Sequence, residues 1–181
     1  MSVSKNSLLE QKVIITAKQK GPEQFWTKWS WNEDASLWMV VCNYVIGEAT
    51  PFALDTTKLL IINHARSAGA GGVIVGNLFS KPIKTVSDAE LAKAGSNDGL
   101  KELVEAAKTA QAVIIGTGSL TTTSKIAKKR LDQFATKLAT DKVTANVSTL
   151  VNDDTYKPAH PLSLQGKKWM YNTNGKVSDK V

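Results

Sequence analysis

Cysteine is nearly absent from this chain, and the single thiol, Cys42, excludes an intramolecular disulfide and any cysteine-based metal cluster. Cys42 lies inside an apolar run, where it reads as a small buried hydrophobe; a catalytic thiol would need an activating base. Long apolar runs are also missing. None approaches the ~20 residues that cross a bilayer, and Met1–Lys12 is polar, without a signal-peptide core. A cytoplasmic protein with no membrane partner is expected. Histidine is scarce, with two in 181 residues, and no His-Glu-x-x-His pattern occurs, so neither a metal nor a cofactor is expected. The Gly-x-Ser-x-Gly elbow and the P-loop are both absent.

The charge that is present is unbalanced: 23 Lys and Arg against 16 Asp and Glu, or +7. That suits a polyanionic partner such as DNA or a nucleotide, and equally a well-solvated surface. A hydrophobic content of 42% with 22% charged residues fits one globular domain, 1–181. The Lys-rich stretch 166–181 reads as a partly ordered tail.

Three hydrophobic runs end in small or polar residues: Trp38-Met-Val-Val-Cys-Asn43, Val73-Ile-Val-Gly-Asn-Leu-Phe79 and Ala112-Val-Ile-Ile-Gly-Thr-Gly118. With helical patterns between them, they read as buried strands of a mostly parallel sheet. Asp55 caps a helix over Thr56–Ala68, and Gly69-Ala-Gly-Gly72 ends it, so Leu37–Phe79 is a βαβ unit. Ser87-Asp-Ala-Glu90 is a capping box, and a second helix starts at Asn97. Leu120–Leu138 reads as one long helix with Lys125, Lys128, Lys129 and Arg130 outward, and Asn146–Val151 as the last strand. A first strand covers Lys12–Lys18. Gln24–Trp31 and Leu37–Asn43 form an antiparallel hairpin around Asn32–Ser36. Trp26, Trp29, Trp31 and Trp38 gather there, as a strand face on the core or as a base-stacking platform. The expected class is α/β, a three-layer sandwich with a mostly parallel central sheet plus an N-terminal antiparallel hairpin.

In such sheets ligands bind beyond the carboxyl ends of the strands. Asn43, Asn77, Gly116, Gly118 and His160 are therefore expected around one pocket. Gly116-Thr-Gly-Ser119 opens a helix whose amides can hold a phosphate or sugar, or it is simply a tight turn. His160 precedes Pro161 on a loop after the last strand, where it can hydrogen-bond a ligand. Glu48 lies just past a strand end, as a general base or a solvated carboxylate. His64 reads as a surface or half-buried helix residue.

From about Trp29 to Leu164 the chain resembles a small bacterial family with no assigned activity. The matching pieces are Asn43, Asp55-Thr-Thr57, Gly71-Gly72, Asn77-Leu-Phe79 and His160-Pro-Leu162. The family carries Asn-Pro-Ser-Thr-Ala at the first position; here Tyr44 replaces the Pro, and Val45–Pro51 replaces the rest. In motif order the chain is also similar to the uracil-DNA glycosylase superfamily: a catalytic loop at Asn43–Pro51, then Asn77, Gly116 and the loop His160–Ser163. That resemblance implies a nucleobase pocket and, in the enzymatic reading, hydrolysis of an N-glycosidic bond in nucleic acid. Asn77 would read the base edge, and Phe79, Phe52 or Tyr44 would stack on the ring. His160 would hydrogen-bond the leaving base, and Asn43 or Glu48 would hold the attacking water. Ser119 and Ser163 complete the expected ligand-binding set. The alternatives are a non-catalytic module for a nucleotide, modified base or partner protein, and an enzyme acting on a nucleoside or sugar phosphate.

Overall fold

Apolar runs such as Val73–Val75 and Ala112–Ile115 have no polar face, so they need cover on both sides. The computed structural model, which describes residues 12–47 and 50–181, gives them that cover in one eight-stranded mixed sheet. The strands are β1 (Ile14–Lys20), β2 (Glu23–Ser30), β3 (Leu37–Cys42), β4 (Gly72–Asn77), β5 (Ala112–Ile115), β6 (Asn146–Val151), β7 (Met170–Thr173) and β8 (Lys176–Ser178). The helices are α1 (Thr56–Ser67), α2 (Asp88–Ala94), α3 (Asn97–Ala107), α4 (Leu120–Thr123) and α5 (Lys125–Thr140). A 3-10 turn spans Pro161–Leu164.

The strand order is β1-β2-β4-β3-β5-β6-β7-β8. The middle four strands, β4-β3-β5-β6, are parallel, and both edges are antiparallel. The sheet is thus mixed, not mostly parallel as the central runs suggest. Successive residues of β3 enter opposite cores. Met39 and Val41 join Leu91, Leu103 and Phe134, from α2, α3 and α5. Trp38, Val40 and Cys42 join Ile61 and Ala65 of α1 with Leu164, Trp169 and Tyr171.

The expected hairpin between β2 and β3 does not form. β4 lies between them: Gly72 is opposite Ser30 on one side and Leu37 on the other. The crossover helix α1 returns the chain through a gap that only glycine fits. A Cβ on Gly71 would sit 1.9 Å from the Asn32 carbonyl oxygen. Asn32–Ser36 wraps over this entry, with Gly71 N–H donating to Ser36 O at 2.8 Å. The antiparallel hairpin is instead β1–β2, turning at Gly21-Pro22.

The stretch 166–181, expected as a tail, builds the far edge of the sheet. Asn174 and Gly175 both have positive φ, 52° and 84°, and Thr173 pairs with Lys176. This is the two-residue turn that Asn-Gly favours between strands. Trp169 and Tyr171 are buried and anchor the hairpin against α1. The His64 ring stacks on Trp169 at 4.1 Å and shares a 2.7 Å hydrogen bond with the Tyr171 hydroxyl. Trp29 and Trp38 are buried, which answers the tryptophan cluster in favour of the core.

The long helix expected over Leu120–Leu138 breaks at Ser124, whose hydroxyl caps α5 by accepting from Ala127 N–H. Arg130, expected outward, is buried. Its Nε donates to Leu78 O at 2.9 Å and its Nη2 to Ser96 O. The caps at Asp55 and Ser87 form as their spacing indicates, and Ser96 caps α3 by accepting from Gly99 N–H.

Candidate functional site

β3 runs to β4 on one side and the chain then reaches β5 on the other, so the strand order reverses at β3. A crevice opens beyond the carboxyl ends at such a reversal. It holds a cavity of about 560 Å³, a size usual for small-molecule sites. β3 contributes Cys42 and the following Asn43 and Tyr44, β4 contributes Asn77, and the turn after β5 contributes Thr117, Gly118 and Ser119. His160 and Leu162 come from the loop after β6, and Asp55, Thr57 and Lys58 from the start of α1.

Asn43 is 6% exposed, and its Nδ2 donates to Thr117 O at 2.6 Å. A carbonyl only accepts, so this bond fixes the amide and turns Oδ1 away from Thr117. Oδ1 is buried without a partner among the described residues. Three other buried polar atoms share that state, on Trp26, Trp29 and Asp153, but none of those residues lines the cavity. An unmet buried acceptor costs about 1–3 kcal/mol, and a bound donor would recover it.

His160 is held from three sides. Its Nδ1 accepts from Leu162 N–H at 3.3 Å, and its carbonyl accepts from Ser163 Oγ at 2.7 Å. Gly118, at φ +61°, lets the loop close: a Cβ there would lie 3.1 Å from His160 Cβ. Burial lowers the His160 pKa below the usual range, with Asp55 opposing. Because Nδ1 accepts, the proton of the neutral ring sits on Nε2. Burial, and secondarily Asp55, pushes the Cys42 thiol up to about 12, which removes it as a nucleophile.

Lys58 is 8% exposed. Its Nζ donates to Ala53 O at 2.7 Å and lies 4.0 Å from Asp55 Oδ2. Burial lowers its pKa, again against Asp55. Asp55 Oδ1 caps α1 by accepting from Lys58 N–H at 2.8 Å.

Of the expected site residues, the cavity gathers Asn43, Tyr44, Asn77, Gly118, Ser119 and His160. Phe79 is 1% exposed and belongs to the core, because Phe79 N–H donates to Asn43 O and turns that segment inward. Phe52 is exposed in a separate groove with Pro51 and Pro82. Gly116 lies under Pro161, and Ser163 braces the 3-10 turn; neither lines the cavity. Glu48 lies outside the described residues. Asp55 entered the sequence reading mainly as a cap, and Lys58 did not enter it. The available signal was topological: a crossover helix that follows a parallel strand starts at that strand's carboxyl end.

The sequence matches the family described as "Protein of unknown function (DUF1643)" over residues 24–162. The chain belongs to this family. The matched span runs from β2 to the His160 loop and so holds every element that builds the cavity wall. No curated protein and no solved structure matches the chain.

Proposed function

We propose that the cavity receives a nucleobase and that the protein hydrolyses its N-glycosidic bond. The observation that carries this reading is the buried Asn43 Oδ1, without a partner among the described residues, on a wall shared with Asn77 and His160. A planar heterocycle with donors and acceptors on one edge suits the Asn77 amide and an imidazole N–H, and Tyr44 is an aromatic available to stack on it. Asn43 Oδ1 is left for the attacking water. We read the helices on the two sides of the sheet as the outer layers of a three-layer sandwich, with this crevice at its centre.

In the proposed reaction, water attacks the anomeric carbon as the bond to the base nitrogen breaks and its electron pair moves onto the base. The His160 Nε2–H hydrogen-bonds the base as charge develops there. Asn43 Oδ1 holds the water, and Asp55 is the carboxylate on the wall, among the described residues, that can take its proton. The base could arrive on DNA, a nucleotide or a nucleoside. A non-catalytic module is the second reading, favoured by the prior engagement of Asp55, which caps α1 and lies 4.0 Å from Lys58 Nζ.

The test is chromatographic detection of free base after incubation with nucleosides, nucleotides and oligonucleotides. Wild type should release base from one of these classes, and His160→Gln should lower that rate about 100-fold or more. Binding without release by wild type would favour the non-catalytic module.

A further inference from the structure

We propose that the base reaches this cavity on an uncharged carrier, a ribonucleoside whose sugar hydroxyls face Asp55, and not on a nucleotide or a nucleic-acid strand. This inference rests on the nucleobase reading of the cavity. A chain of charge +7 invites a polyanionic ligand, so the placement of the charges decides the matter. Among the described residues on the cavity wall, the only acidic or basic side chains apart from His160 are Asp55 and Lys58, and they cancel. No arginine among the described residues lines it.

Neither group suits a phosphate. The Lys58 ammonium is buried, donates to Ala53 O and has the Asp55 carboxylate 4.0 Å away. Asp55, at 59% side-chain exposure, presents a negative charge to anything entering. Its carboxylate also sits at the start of α1, where Oδ1 takes the Lys58 amide and the negative charge disfavours a second anion. Exposed lysines such as Lys125, Lys128 and Lys129 sit on α5, which packs with α2 and α3 over the opposite face of the sheet from α1. Lys128 is moreover paired with Asp132 at 3.1 Å.

A sugar hydroxyl is what Asp55 can hold beside the attacking water. A carboxylate has about four lone-pair directions; the cap uses one of them and the water a second, which leaves room for a hydroxyl. Thr57, two residues along the same turn, lines the same wall and adds a hydroxyl.

The experiment is equilibrium binding of adenosine, guanosine, cytidine and uridine, their free bases, their 5′-monophosphates and single-stranded oligonucleotides, at low and high salt. Asp55 and Asp55→Asn are compared in the His160→Gln background, where base release is slow enough for equilibrium binding; Asn caps a helix as well as Asp does, so the variant folds. One nucleoside should bind about tenfold or more tightly than its monophosphate, with little salt dependence. Asp55→Asn should weaken that nucleoside about tenfold and bring the monophosphate to within about twofold of it. A monophosphate or oligonucleotide that binds more tightly than the nucleoside, and weakens steeply with salt, would overturn the inference and leave the nucleobase reading standing. If no nucleoside and no free base binds, the nucleobase reading fails and this inference with it.

Discussion

Arg130 shows how a single side chain can stand against its local pattern. It follows Lys128 and Lys129 on a helix face that reads as solvent-facing, yet it is buried at the carbonyls of Leu78 and Ser96. Those carbonyls lie 52 and 34 residues away, so no local pattern reveals them. Arg130→Met should leave both acceptors unmet and cost about 3 kcal/mol in chemical denaturation. Arg130→Lys should recover only part of that, because an ammonium lacks the planar fork. An unchanged midpoint in Arg130→Met would show that water replaces both bonds. Gly118, by contrast, sits in the turn its local sequence indicates. Gly118→Ala must hold a side chain at φ +61° and press it on His160. A stability loss of about 1–2 kcal/mol is expected, together with weakened ligand binding as the His160 ring moves. Wild-type affinity in that variant would separate His160 from the ligand.

Among the elements, those whose definition is local were legible. β3–β6, α1, α2 and α3 carry their own apolar runs and caps, and they form close to where those signals lie. The edges were not, because pairing partners are non-local. The second and third strands look like a hairpin until α1 returns β4 between β2 and β3. The Lys-rich C-terminal stretch hides a hairpin marked by Asn174-Gly175 and anchored by Trp169 and Tyr171. Trp169→Ala should cost about 3–5 kcal/mol and free the β7–β8 hairpin, seen as lost amide protection there. A wild-type unfolding midpoint would mean that the hairpin docks without its anchor. This element also gives stability a pH dependence. Burial lowers the pKa of His64, and that of His160, below the usual 6.5. A depressed folded pKa means that the unfolded chain takes up protons first as the pH falls. Stability should therefore be fully present above about pH 6.5 and decline below it, through the folded pKa values. His64→Gln should flatten part of that acid-side fall in thermal unfolding; an identical profile would remove His64 as its source.

At the scale of the whole molecule, the parallel centre β4-β3-β5-β6 fixes where the cavity must be, and that much was legible. Asn43, Asn77, Gly118 and His160 each follow a strand or end one, and the crevice rule brings them together. Phe79 and Phe52 lie outside the cavity, because the identity of an aromatic says nothing about the side to which its backbone turns it. Asp55 and Lys58 complete the wall from the helix that returns the chain. In total charge the chain suits a polyanion, while the cavity, among the described residues, is balanced. No helix among the described residues is long and apolar enough to cross a membrane. The most direct test of the nucleobase cavity is calorimetric titration of the common free bases into wild type and Asn77→Ala. Saturable binding of at least one base, weakened about tenfold in Asn77→Ala, is the expected result. No binding by any of them, or binding that Asn77→Ala leaves untouched, would contradict a nucleobase site at the carboxyl ends of these strands.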